Sequence, residues 1–111
     1  MEERRKLKRK YLMFYTRVFN RKTGEMLGNL SDLTVEGLML IGEQALPVHT
    51  LFDLRMDLPD GFGFPRRHLD MTGKTMWTAP DVDPNFFNTG FHLEQVAEED
   101  VTIIERLVED Y

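Results

Sequence analysis

Along much of the chain, apolar and polar residues alternate with a period of two. Phe52, Leu54, Met56 and Leu58 interleave with Asp53, Arg55 and Asp57, while Leu69, Met71 and Trp77 fall on the opposite phase from Asp70, Thr72 and Lys74. Successive side chains of an extended strand point to opposite faces, so each segment predicts a strand with one core face and one wet face. On that phase Trp77 reads as a core residue. Tyr11 to Asn20 is different, because Leu12, Phe14 and Val18 point one way and Met13, Tyr15 and Phe19 the other. A strand apolar on both faces needs a cover on its outer side. Arg21-Lys22-Thr23-Gly24 then supplies a glycine able to adopt the left-handed conformation of a short hairpin, and a second strand is expected from about Glu25 to Leu30. Gly37 to Gly42 and Gly90 to Val96 are two more short apolar runs, and Pro59-Asp60-Gly61 and Asp83-Pro84-Asn85 carry turn residues.

From Glu98 the period changes. Val101, Ile104, Val108 and Tyr111 recur at helical spacing behind Glu98-Glu99-Asp100, whose charges suit the positive end of a helix dipole. About six strands followed by one helix at 98–111 predict a mainly β fold, a six-stranded antiparallel β-barrel with a C-terminal α-helix as its lid. Residues 1–10 contain RRKLKRK and have no apolar period. They are expected to form a flexible basic N-terminal arm ahead of a domain at 11–111.

Composition sharpens this picture. The chain has 111 residues, 41% of them hydrophobic, enough for one compact domain and no second one. It contains no cysteine, so neither disulfides nor thiolate metal ligands contribute, which suits a reducing cytoplasm. The charged start gives no apolar leader, and no run approaches the roughly 20 apolar residues of a membrane span. The net charge of -5 hides an asymmetry: residues 1–22 carry nine Lys or Arg against two Glu, and the remainder five against 17 acids. A basic arm on an acidic body points to a localised anionic ligand, or to the arm docking onto its own domain, over broad polyanion binding.

Catalytic patterns are missing. Ser31 is the sole serine, and His49, His68 and His92 sit in no nucleophile-elbow or i, i+4 zinc arrangement, so neither catalytic residues nor a metal are assigned. Asp81-Val82-Asp83-Pro84-Asn85 opens like a calcium loop but places Phe86 where that loop needs glycine, and it reads as a turn.

Two short patterns carry the functional signal: Arg5-x-x-x-Arg9 ahead of the first strand, and Asp32-Leu33-Thr34-Val35-Glu36-Gly37 between the second and third. Together with Gly73-x-x-x-Trp77 and Gly90-Phe91-x-Leu93 they resemble the PilZ domain family, whose patterns are RxxxR and [D/N]xSxxG. Thr34 stands where the family has serine; it keeps the hydroxyl and adds a methyl that stiffens the side chain.

The resemblance implies a PilZ-like split barrel that binds cyclic di-GMP without catalysing a reaction and signals to a downstream protein partner. Arg5 and Arg9 would meet guanine O6 and N7 in bidentate fashion, stack on the purines or pair with phosphates. Arg4, just before them, accompanies capture of two ligand molecules in the family. Asp32 would accept from guanine N1–H and N2–H₂ with Thr34 assisting, and Gly37 would allow close backbone approach or a positive φ. Two other classes compete: a degenerate PilZ-like interaction module without nucleotide, and a small-barrel nucleic-acid binder using Tyr11, Tyr15 or Phe19. The acidic body, with a sequence pI of about 5.1, argues against the last.

Overall fold

In the computed structural model, residues 16–58 and 63–110 are described. Six strands run β1 (Arg17–Asn20), β2 (Met26–Leu33), β3 (Gly37–Gly42), β4 (Leu51–Asp57), β5 (His68–Pro80) and β6 (Phe87–Gln95), followed by helix α1 (Glu98–Asp110). All neighbouring pairs are antiparallel, and the order β1-β2-β3-β6-β5-β4 closes on itself through β1 and β4. Closure leaves no free sheet edge, the liability that an open six-stranded sheet would carry. This is the mainly β barrel with a C-terminal helix that the alternation predicts.

The alternating positions fill the barrel. Val18, Leu54, Met56 and Leu69 are fully buried, and Leu30 and Leu40 nearly so. The β1–β2 hairpin turns through Gly24 at φ 80°, with Asn20 Oδ1 accepting from the Lys22 and Thr23 amides. The first strand is described only from Arg17, so the expected face of Leu12 to Tyr15 lies outside the described residues. So do the arm at 1–10, with Arg4, Arg5 and Arg9, and the turn at Pro59-Asp60-Gly61.

Antiparallel pairing gathers the start of β1, the β2–β3 turn, the β4–β5 loop and the end of β6 at one end of the barrel. Helix α1 closes that end. Its buried residues are Ile103, Ile104 and Leu107, so the inward stripe is displaced from the Val101, Ile104 and Val108 line read in the sequence; Val101 and Val108 only flank it. The β4–β5 loop clasps the helix: Arg66 Nη1 lies 2.7 Å from Asp100 Oδ1, and the Arg106 guanidinium sits 4.7 Å from the centre of the Phe64 ring. No helix among the described residues is long and apolar enough to cross a membrane.

Candidate functional site

Two β-bulges decide what the outer wall of the barrel presents. On β2, Leu30 faces Leu40 and Asp32 faces Met39, so Ser31 is an extra residue. Strict alternation from Leu30 would turn Asp32 inward. The bulge reverses the phase: Asp32 is exposed and Leu33, at 3%, is buried. Ser31 Oγ donates to the Met39 carbonyl and helps hold the irregularity.

On β5 the same device acts at Met76. Thr75 faces Phe91 and Trp77 faces Gly90, which again leaves one residue over. Met71, Gly73 and Thr75 point inward, but after the bulge Thr78 turns in to meet Thr89, at 3.2 Å between hydroxyls, and Trp77 turns out. Trp77 is 44% exposed, which corrects the core assignment made from alternation. Its indole lies against Gly90, where an added Cβ would collide with Nε1. Glycine is there because the ring occupies the side-chain position.

Pairing therefore sets one lateral row across four strands: Asp32, Met39, Gly90, Trp77. Three strand spacings make it about 14 Å long. The next row holds Gly37, His92 and Lys74, with Gly37 facing His92 and Lys74 facing His92. Gly37 needs no positive φ. Its Cβ would stand 2.6 Å from the Phe91 carbonyl, so close approach of β3 to β6 is the reason for glycine there.

The β2–β3 turn is held by Thr34. Its hydroxyl accepts from the Glu36 and Gly37 amides at 3.2 and 3.1 Å, while its own amide donates to the Gly37 carbonyl at 2.8 Å. The hydroxyl is thus committed to the turn, as serine or threonine does at a helix cap. Asp32 Oδ1 accepts from the Leu33 amide, leaving the second carboxylate oxygen for another donor. The structure brings Asp32, Thr34 and Gly37 together and adds Trp77, Lys74 and His92, which sequence patterns did not assign to a site.

Two clefts, of about 250 and 400 Å³, lie off this face, one around Gly28, Gly42, Leu46 and Phe86 and the other around Arg21, Asp70, Gln95 and Val96. Asp32 and Trp77, at the two ends of the row, are both exposed. The Thr16 carbonyl accepts from the Leu30 amide at 2.8 Å, which places the first described residue next to the β2 bulge at Ser31.

No protein-family model and no curated protein matches the chain. Among solved structures, the Bacillus subtilis inhibitor of motility MotI/DgrA shares the fold with a TM-score of 0.67 at 8% identity, over 85% of this chain and 44% of that one. The Borreliella burgdorferi PlzA protein, solved in complex with c-di-GMP, gives a TM-score of 0.58 at 11% identity, over 93% of this chain and 47% of that one. Both are PilZ-domain proteins. The fold is PilZ-like. This chain spans less than half the length of either neighbour.

Proposed function

We propose that this PilZ-like domain is a cyclic di-GMP receptor and adaptor acting in the cytoplasm, with the ligand on the Asp32–Trp77 face. The arginines of residues 1–10 close over it, order the arm and present a new surface to a protein partner. The observation that carries the reading is the Thr16–Leu30 hydrogen bond beside the β2–β3 turn. Arg9 is seven residues upstream of Thr16, a reach of at most about 25 Å for extended chain, which exceeds the length of the row. Both halves of the site can therefore meet on one ligand.

Each group has a chemical task. Asp32 accepts from the guanine N1–H and N2–H₂ edge, Arg5 and Arg9 meet the O6/N7 edge or the phosphates, and the Trp77 indole offers a stacking surface. Thr34 acts through the turn it holds. The neighbour PlzA, solved with c-di-GMP, supports the choice of ligand. Calorimetric titration with cyclic di-GMP is the test: saturable binding that Asp32→Ala weakens is expected, and no binding by the full chain overturns the proposal.

One feature favours the second reading, an interaction module. Val48, Leu51 and Met76 are 42%, 62% and 47% exposed where the β3–β4 loop crosses β5. The same titration separates the two.

A further inference from the structure

His92 is positioned to make ligand affinity depend on pH. It stands directly across from Gly37, the last residue of the β2–β3 turn, and directly across from Lys74 on its other side. Its side chain is 52% exposed on the outer wall. Because Gly37 has no side chain, nothing on β3 stands between the imidazole and the turn. Among the described residues, the charged groups around it are Glu94 on β6 itself, with Oε2 3.5 Å from Nε2; Lys74 on β5; Glu36 in the turn, whose carbonyl accepts from the Leu93 amide; and Asp32 farther across on β2. β3 carries no charged residue. The other two histidines are off this face, His49 in the β3–β4 loop and His68 at the start of β5 opposite Asp57.

We infer that Lys74 and His92 form a phosphate-binding pair of the cyclic dinucleotide site, and that His92 takes up a proton when the ligand binds. The inference rests on the proposed function for the ligand and goes beyond it in the pair and its proton linkage. In the free protein His92 stands between Glu94 on its own strand, with Oε2 3.5 Å from Nε2, and Lys74 directly opposite on β5. A phosphodiester seated on the pair adds an anion that attracts both cations through charge-assisted hydrogen bonds. The imidazolium is therefore favoured more in the complex than in the free protein. The ligand's phosphodiesters stay ionised throughout, and imidazole is the side chain that changes charge between pH 5 and 8.

The sign follows. The complex raises the imidazole's proton affinity, so the added binding is complete at pH below the free-state titration and is lost as pH rises through that of the complex. Cyclic di-GMP should bind on the order of tenfold more tightly at pH 6 than at pH 8.

Calorimetric titrations of the full chain with cyclic di-GMP at pH 6, 7 and 8, repeated in buffers of different ionisation heat, test this directly. Wild type should show the pH slope and a buffer-dependent heat that reports proton uptake. His92→Gln should lose both the slope and the buffer-dependent heat. Lys74→Gln should weaken binding at every pH and keep a slope, because a phosphate still faces His92. A flat wild-type profile, or a slope that survives His92→Gln, overturns the inference while the proposed function stands. Absence of binding at every pH overturns the proposed function and this inference with it.

Discussion

The barrel wall has two faces that treat charge in opposite ways. Across β1, β4 and β5, acids and bases answer one another: Arg17 with Asp57, Arg21 with Asp53 and Asp70, Lys22 with Asp53, and Arg55 with Asp70. Across β2, β3, β6 and the far end of β5, pairing is sparse among the described residues: Asp32 accepts from its own neighbour's amide, Lys74 makes no ion pair, and His92 meets Glu94 at 3.5 Å. A self-neutralised face has little electrostatic reason to recruit a ligand. A face with an acceptor, cations and an exposed indole held apart by glycines does. Geometry separates them too, because the first face keeps regular alternation through β4 while the second is re-aimed at Ser31 and Met76.

The largest effect should come from the arm. Arg5→Ala and Arg9→Ala are each expected to weaken cyclic di-GMP binding by more than about 100-fold, as charge-assisted anchor contacts do, with little change in the melting temperature of the free protein. On the paired face, Arg55→Ala should leave the dissociation constant within about twofold. Calorimetry and a melting curve on the three variants test the contrast. If Arg55→Ala costs as much affinity as Arg9→Ala, the ligand lies on the wrong face.

Asp32→Ala comes next. Loss of the acceptor opposite two guanine donors should cost about 2 kcal/mol of binding, roughly a 30-fold weaker dissociation constant. The comparison residue is Asp53, which serves Arg21, Lys22 and the Thr72 hydroxyl. Its replacement by alanine should lower stability and spare binding. The opposite pattern, Asp53 needed and Asp32 dispensable, would exchange the roles of the two faces.

Alternation made most of the barrel legible, since Leu54, Met56, Leu69 and Met71 occupy the core on the phase the sequence shows. It failed where one residue was inserted. A bulge leaves no mark in a two-residue period except a phase reversal afterwards, so Trp77 was carried inward with Leu69 and Met71 although its indole lies outside. The glycine at 90 was the available signal, because a side chain there cannot coexist with a ring laid across the strand. The helix stripe was misphased for a related reason. Val101, Ile103, Ile104, Leu107 and Val108 form two overlapping stripes, and only the barrel's end chooses Ile103 and Leu107. For the site, the pattern around Asp32 to Gly37 located the turn, but Lys74 and His92 became visible only through register with Gly37.

Thr34 tests how the unpaired face keeps its shape. Thr34→Val removes the oxygen that accepts from the Glu36 and Gly37 amides and should cost about 1 kcal/mol of stability, the usual loss when a capping hydroxyl is removed. Thr34→Ser keeps the oxygen, and both stability and cyclic di-GMP affinity should be retained or improved. Chemical denaturation distinguishes them. Equal stability of the valine and serine variants would show that the hydroxyl contributes nothing to the turn.

The smallest effect belongs to the paired face and appears only in acid. Asp70 is held below the ordinary carboxylate range, first by the hydrogen bond from Arg55 and then by the charges of Arg55 and Arg21, against a partial desolvation that works the other way. A depressed folded value means that the ionised form is favoured by folding. The stability this adds is therefore complete above the unfolded value of about 3.9, and it is lost as pH falls through the folded value. The pair is partly exposed, so its worth is limited to about 0.2–1 kcal/mol. Asp70→Asn should lower stability by that amount at pH 7, and the gap from wild type should close as pH falls below 3.9 and Asp70 takes up its proton. Denaturant midpoints between pH 7 and pH 2 measure the gap. One that persists undiminished at pH 2 would assign the loss to packing or hydrogen bonding of the neutral group, and the self-neutralised face would then owe its stability to something other than charge.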